Sequence, residues 1–450
     1  MTQTPHQPIR WSSRIAFITA AAGAAIGLGN IWKFPYLVGE NGGGAFVLVY
    51  LLCVLGVGLP IMMAETLIGR MGRGNPVQTM KTLAKRYRTS PLWSLVGWFG
   101  VLAGFLILSY YSVIAGWSMA YLFKMAGGFL THISPVEAHQ TLTELQASAD
   151  VQVIWHSVFM ALTMVIVARG LAEGIESVTR LLIPCLLVIL LMLDVYGATT
   201  SGFGQSLEFL LKPDFSKLSG ESVLIALGQA FFSLGLANGS TMVYGSYLPD
   251  NVSISRTTLW VALADTLAAM MAGLAIFSVV FANQMSPGMG PGLIFETLPI
   301  AFSAMPFGGF FGFIFFVLVF FAAITSAVAL IEPAVSMLSE NYAMTRTRAS
   351  AIAGGLCWFL GLGTIGAFRG TFDLTISGKN FFDFIDFITA DLMLPIGGIL
   401  IAVFAAWVIP KKDSEEQLDL GSQLSTWLIL SRFVAPAAVL LILLESTGIL

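Results

Sequence analysis

Charge is scarce in this sequence. Only 10% of its 450 residues are Asp, Glu, Lys or Arg, while 56% are hydrophobic; a soluble domain carries about 25% charged residues. A deficit of that size, spread along the chain, excludes a water-soluble fold and leaves a polytopic membrane protein. Cysteine is scarce as well. Cys53, Cys185 and Cys357 all fall in apolar stretches, which argues against a disulfide framework, and no metal-ligand spacing runs among them. No nucleophile–base pair stands out, so neither an enzyme nor an organic cofactor is expected. The net charge of −3 names no charged partner, and nucleic acid is not expected as one. A cleavable signal pattern is missing too: the first apolar stretch starts near Ile15 and runs on without a small-residue cleavage site.

What is there in quantity is apolar sequence in span-length pieces. A hydrocarbon core about 30 Å thick needs roughly 20 apolar residues per helix. Eleven spans are expected, at 14–37, 43–69, 93–124, 152–168, 178–199, 222–248, 257–283, 308–338, 349–367, 382–409 and 425–446. The stretch MSPGMGPGLIFETLP between the seventh and eighth is too rich in Pro and Gly to cross, and reads as a short hairpin-like external segment. With the N-terminus on the cytoplasmic side, the inside loops hold fifteen Lys and Arg against five outside, the bias expected of cytoplasmic loops. That orientation puts the C-terminus outside. The short external loops carry no Asn-x-Ser/Thr acceptor, which favours a bacterial inner membrane.

The first span contains GAAIGLGNIWKFPYLVGENGGGAF, in which Gly27, Gly29, Asn30, Lys33 and Pro35 have no place in a plain membrane helix. The sixth, QAFFSLGLANGSTMVYGSY, has the same fault at Gly235, Ala237, Asn238 and Gly239. Each Gly weakens a helix by roughly 1 kcal/mol. An unwound segment bares backbone N–H and C=O groups, which a bilayer tolerates only inside protein or against a wet cavity. Such glycines can also be plain packing notches, but two clusters in register, each with a polar centre, point to one site near the midplane. Five spans separate the faults. That fits two five-span repeats, about 11–199 and 222–409, with an extra helix at about 425–446, all in one transmembrane domain covering 1–450. Because five is odd, the second repeat would be inverted, as in one class of secondary transporter. The expected fold is therefore all-α, with discontinuous first and sixth helices.

The residues also match a known family. The segments WSSRIAFITAAAGAAIGLGNIWKFPY, ENGGGAF, SYYSVIAGW, QAFFSLGLANG and FFAAITSAVALIEP, with the Glu65–Gly69–Arg70 run, resemble the neurotransmitter:sodium symporters, in their bacterial amino-acid branch with the LeuT fold. The resemblance implies sodium-coupled symport of an amino acid by alternating access, with two sodium ions. Site one would use Ala25, Asn30, Ser233 and Asp265; site two would use Gly23, Ile26, Ala322, Thr325 and Ser326. Oxygen donors suit an alkali cation, although Thr325 and Ser326 could equally bond back to their own helix.

By the same resemblance, the substrate would lie among Ala24, Gly27, Leu28, Gly29, Ile107, Tyr111, Phe232, Gly235, Leu236, Asn238, Ser326 and Leu330. No acidic residue stands near Gly27, so a free α-amino acid fits better than a monoamine, and the mostly apolar lining suits a hydrophobic or aromatic one. Lys33 and Asp386 would form an outer gate; Arg10, Glu340 and Tyr247 would form an inner one. Two departures from the family pattern carry meaning. Asn238 stands where an apolar residue is commoner, and would bond either the unwound backbone or the substrate. Asp265 and Ala269 stand where the family has Asn and, in chloride-dependent members, Ser. A lone intramembrane carboxylate costs several kcal/mol unless paired, so Asp265 is expected to bind sodium and to replace chloride. Glu65 would support the unwound sixth span. A binding-only sensor and a proton-coupled transporter are the alternatives.

Overall fold

The computed structural model describes residues 10–129, 133–286, 292–370 and 378–448. Among these the regular structure is helical, with an isolated bridge between Gly43 and Pro213. The helices, in chain order, are α1 (Arg14–Ala25), α2 (Gly29–Glu40), α3 (Gly44–Gly72), α4 (Pro76–Arg86), α5 (Pro91–Ala126), α6 (Pro135–Ala147), α7 (Ala149–Ala168), α8 (Leu171–Ala198) and α9 (Phe203–Leu211). They continue with α10 (Gly220–Ser233), α11 (Ser240–Ser246), α12 (Ile254–Ala282), α13 (Leu293–Ser303), α14 (Gly308–Asn341), α15 (Arg346–Arg369), α16 (Phe381–Val408), α17 (Lys411–Leu418) and α18 (Gly421–Ser446).

Nine of these are long and apolar enough to cross a membrane, and the pair α1 and α2, bent by 55°, makes a tenth. The sixth expected span appears as two short helices, α10 and α11, on either side of a break. Burial sorts the bundle into layers. The most apolar stretch of α14 is 78% buried and packs along α5, while those of α7, α8 and α18 are only 33% buried. Their exposed leucines and valines, such as Leu162, Leu191 and Leu441, suit a lipid-facing rim.

Both breaks have local causes. α1 ends at Ala25; Ile26 leaves the helical region with ψ 89°, and Asn30 Oδ1 accepts the Gly27 N–H at 3.3 Å. In the second break Gly235, Ala237 and Gly239 all take positive φ, at 60°, 61° and 79°. For Ala237 this left-handed conformation costs roughly 1–2 kcal/mol. The Glu65 carboxylate compensates by accepting the Ala237 N–H at 3.1 Å, which is the supporting contact expected of it.

Outside the spans, one expectation is corrected. From Leu293 the external segment is not a hairpin but the helix α13, whose Pro299 sits harmlessly in the first turn of its second half; residues 287–291 of that segment lie outside the described residues.

Candidate functional site

The two breaks face each other across a cavity of about 50 Å³. Its wall comprises Ala24, Ala25, Gly27, Leu28, Gly29 and Asn30 from the first break, and Phe232, Ser233, Gly235 and Asn238 from the second. Ile107, Tyr111, Ser326, Leu330 and Leu394 complete it. Two expectations change. Leu236, flanked by left-handed Gly235 and Ala237, is turned into the packing and does not line the cavity. Leu394, beside Pro395 in α16, does line it and is not among the expected residues; a Pro within an apolar span is the available signal.

Glycine sets the closeness of these walls. A Cβ on Gly27 would stand 2.7 Å from Ser326 Oγ and 3.3 Å from the Tyr111 hydroxyl, so only Gly lets the first break approach both. The Tyr111 hydroxyl accepts the Leu28 N–H at 3.4 Å.

On one side of the cavity lies a wholly buried polar knot. Asn30 Nδ2 donates to Asp265 Oδ1 at 2.7 Å and to Ser233 Oγ at 3.1 Å. Ser233 Oγ donates to Asp265 Oδ2 at 2.8 Å, and the Tyr50 hydroxyl reaches Ser233 Oγ at 3.3 Å. No cationic side chain pairs with Asp265 among the described residues. The Asp265 carboxylate, buried without a cationic partner and bonded by the Asn30 amide nitrogen and the Ser233 hydroxyl, offers hard oxygens that fit an alkali cation.

Of the residues expected at a second ion site, Gly23, Thr325 and Ser326 lie against one another. Ser326 Oγ donates to the carbonyls of Gly23 at 3.2 Å and Ala24 at 3.3 Å. A Cβ on Gly23 would meet Thr325 Cβ at 3.2 Å. Thr325 Oγ1 bonds back to Phe321 O at 3.0 Å and Ala322 O at 3.2 Å. Ile26 is fully buried next to them in sequence at the end of α1.

Beyond Phe232 and Tyr111, which line both spaces, opens a vestibule of about 310 Å³ walled by Trp32, Tyr110, Trp117, Phe368 and Phe382. Lys33 and Asp386 both line it, but no ion pair joins them. Instead the Lys33 ammonium lies over the Phe232 ring, 4.5 Å from its centroid. The expected outer gate pair is thus present but apart, and the cation–π contact takes its place.

The opposite end is closed, and by partners other than those expected. Arg10 pairs with Asp250 at 3.2 Å rather than with Glu340, and Arg73 shares the same carboxylate. Burial lowers the pKa of the Arg73 guanidinium from its ordinary value, with Asp250 opposing the shift. Glu340 is taken up as a cap for α4, accepting from Asn75 N and Nδ2, each at 2.7 Å. The Tyr247 hydroxyl donates not to Glu340 but to Glu332 Oε1 at 2.9 Å; Glu332, fully buried, also holds Arg346 at 2.9 Å. Around this ring Trp11 is pinned. Its N–H donates to Tyr247 O at 3.0 Å and its indole to Tyr244 O at 2.9 Å, and Ser12 N donates to Glu176 at 3.1 Å.

A multi-pass helical bundle interrupted at two facing points, with bare peptide groups and a buried acid around a small cavity, is the build of a secondary transporter. The sequence profile of the sodium:neurotransmitter symporter family matches residues 9–141 and 130–449. The chain is 38% identical to the uncharacterized sodium-dependent transporter YhdH of Bacillus subtilis, over 99% of both chains. It is 32% identical to a sodium-dependent transporter of Haemophilus influenzae, over 99% of this chain and 100% of that one. Among solved structures, that of MhsT in complex with L-phenylalanine superposes with a TM-score of 0.89 at 39% identity, covering 97% of this chain and 99% of the other. The chain belongs to the sodium:neurotransmitter symporter family. It is a sodium-dependent membrane transporter with a LeuT-like fold, and its relatives are transporters rather than enzymes.

Proposed function

We propose that this protein imports a hydrophobic or aromatic amino acid together with sodium, by alternating access and without chloride. The observation that carries the reading is the cavity between the two breaks, with Asp265 buried beside it and matched by no cationic side chain among the described residues. Peptide groups of the first break, near Leu28 and Gly29, and the Tyr111 hydroxyl receive the substrate carboxylate. Carbonyls around Phe232 and Gly235 receive its ammonium. Asn30, Ser233, Ala25 and Asp265 hold one sodium; Gly23, Ile26, Ala322, Thr325 and Ser326 hold a second. The phenylalanine complex of MhsT supports the aromatic class.

Under this reading the Arg10 end faces the cytoplasm of a bacterial inner membrane. The chain folds as eleven spans in two inverted repeats with an extra helix. The fixed charge of Asp265 does what a bound chloride would do, since Ala269 offers no hydroxyl. Ion entry supplies the drive: one charge crossing 100 mV releases about 2.3 kcal/mol.

The test is a thermal-shift screen of the twenty amino acids in sodium and in choline buffer, followed by uptake into proteoliposomes with chloride exchanged for gluconate. Stabilisation by a hydrophobic or aromatic amino acid in sodium only, and uptake unchanged in gluconate, is the expected result. Stabilisation that ignores sodium, or uptake that needs chloride, overturns the corresponding part.

A further inference from the structure

The Asn238 side chain is 7% exposed and lies in the otherwise apolar part of the cavity wall, with Ile107, Leu330, Leu394 and Gly235. Its orientation is fixed by its neighbours. The Ser240 backbone N–H donates to it at 3.0 Å, and the Ser240 hydroxyl bonds the same atom. A backbone N–H can only donate, so the atom facing it must be the amide oxygen. The amide nitrogen is then forced to the other side. There it faces Gly235, standing 3.4 Å from where a Cβ would be, and it forms no hydrogen bond. Gly235, held at φ 60°, leaves that side open.

The unwound backbone thus consumes the acceptor of Asn238 and leaves two N–H donors in an apolar compartment. Once a ligand fills the cavity and displaces water, a donor left without a partner costs free energy that a ligand acceptor recovers. A ligand with an apolar end leaves the cost in place, and an indole N–H meets the amide donor to donor.

We propose that Asn238 selects, within the amino-acid class of the preceding section and resting on that reading, cargo whose apolar side chain ends in a hydrogen-bond acceptor. Tyrosine is the natural case. Asn238 is then a specificity residue whose oxygen braces the second break and whose nitrogen reads the substrate.

The test uses two ligands of one shape: L-phenylalanine and 3-(4-pyridyl)-L-alanine, which differ by one ring acceptor, with L-tyrosine beside them. Affinities are measured on the purified full chain, in sodium and in choline, at a pH where the pyridine is neutral. Sodium-dependent binding of the pyridyl compound and of tyrosine at least about fivefold tighter than phenylalanine is the expected result. Asn238→Asp keeps an oxygen for Ser240 but replaces the donor, and the pyridyl preference should fall to one or below. Equal or tighter binding of phenylalanine by the wild-type chain overturns the proposal while leaving the transport reading intact. So does a preference that survives in the variant. Absence of sodium-dependent binding for all three overturns both. Should the variant lose all binding, the wild-type ligand pair alone decides.

Discussion

At the Arg10 end, Trp11 is pinned by two carbonyls, Asp250 gathers two guanidiniums, and the fully buried Glu332 holds Arg346. At the Lys33 end, the two charged residues that could close the path stay apart across an aromatic vestibule of about 310 Å³. One end is shut by ion pairs and backbone hydrogen bonds. At the other, among the described residues, the Phe232 and Tyr111 rings stand between vestibule and cavity with no ion pair between Lys33 and Asp386. In the proposed alternating-access cycle each closure must be undone in turn, so the strength of the ring at the Arg10 end, inner under that reading, sets how far the resting equilibrium leans toward opening at the Lys33 end. The contrast also has internal structure, since the inner ring mixes a buried pair with exposed ones, and these differ greatly in worth.

The buried pair should give the largest effect. Glu332 is fully buried, while the Arg346 side chain is 18% exposed. Removing one partner leaves an uncompensated charge, at a cost of about 3–5 kcal/mol. Arg346→Ala should therefore lower the melting temperature strongly in detergent, and the double change Glu332→Gln with Arg346→Ala should recover part of it. A single variant that melts like the wild type would show that water reaches the pair.

Asp265→Asn comes next. Sodium at 100 times its dissociation constant stabilises a protein by about 2.7 kcal/mol. The variant keeps the shape but loses the charge, so much of the sodium-dependent rise in melting temperature should vanish. Uptake that survives should then respond to chloride. Undiminished sodium stabilisation in the variant would place the ion elsewhere.

How much of this was legible in the sequence depended on whether a feature is local. The breaks were, because Gly, Asn and Pro clusters act on the chain where they stand, and both appear where the composition put them. The meeting of Asn30, Ser233 and Asp265 was read through resemblance, and the three are in hydrogen-bond contact. Gate partners were not legible. Asp250, Glu332 and Glu340 are all acids near one face, and which one Arg10 meets depends on how loops close over the bundle. Glu340 was withdrawn from the choice by a cap at Asn75, which no spacing announces. The helix α6 is illegible to hydropathy for another reason: it lies between the spans and is largely polar. Its start, Ser134-Pro135-Val136-Glu137, carries a complete capping box that was there to be read.

The exposed part of the inner ring should yield a smaller effect than either buried group. Arg10 and Asp250 have side chains 43% and 68% exposed, and such pairs contribute about 0.2–1 kcal/mol. Asp250→Ala should hardly change the melting temperature. It should still shift the open–closed balance by up to about fivefold, because the pair exists only while the inner end is shut. Labelling rates of a cysteine introduced on the inner face of the path would rise accordingly; an unchanged rate would assign closure to Trp11 and Glu332 alone.

The outer end gives the smallest expected change. Lys33 is held by the Phe232 ring instead of by Asp386, and a cation–π contact is worth about 0.5–1 kcal/mol when exposed. Lys33→Ala should therefore raise the KM for uptake only about two- to fivefold. Lys33→Arg is the sharper probe. Its planar fork can engage a carboxylate through two hydrogen bonds, so it should close on Asp386 and slow substrate entry while leaving the inner ring untouched. Binding rates measured for Lys33→Arg with and without Asp386→Asn separate the two contributions. If slowing persists without the carboxylate, the bulk of the guanidinium over Phe232 is the cause, and the outer end is gated by the aromatic ring rather than by charge.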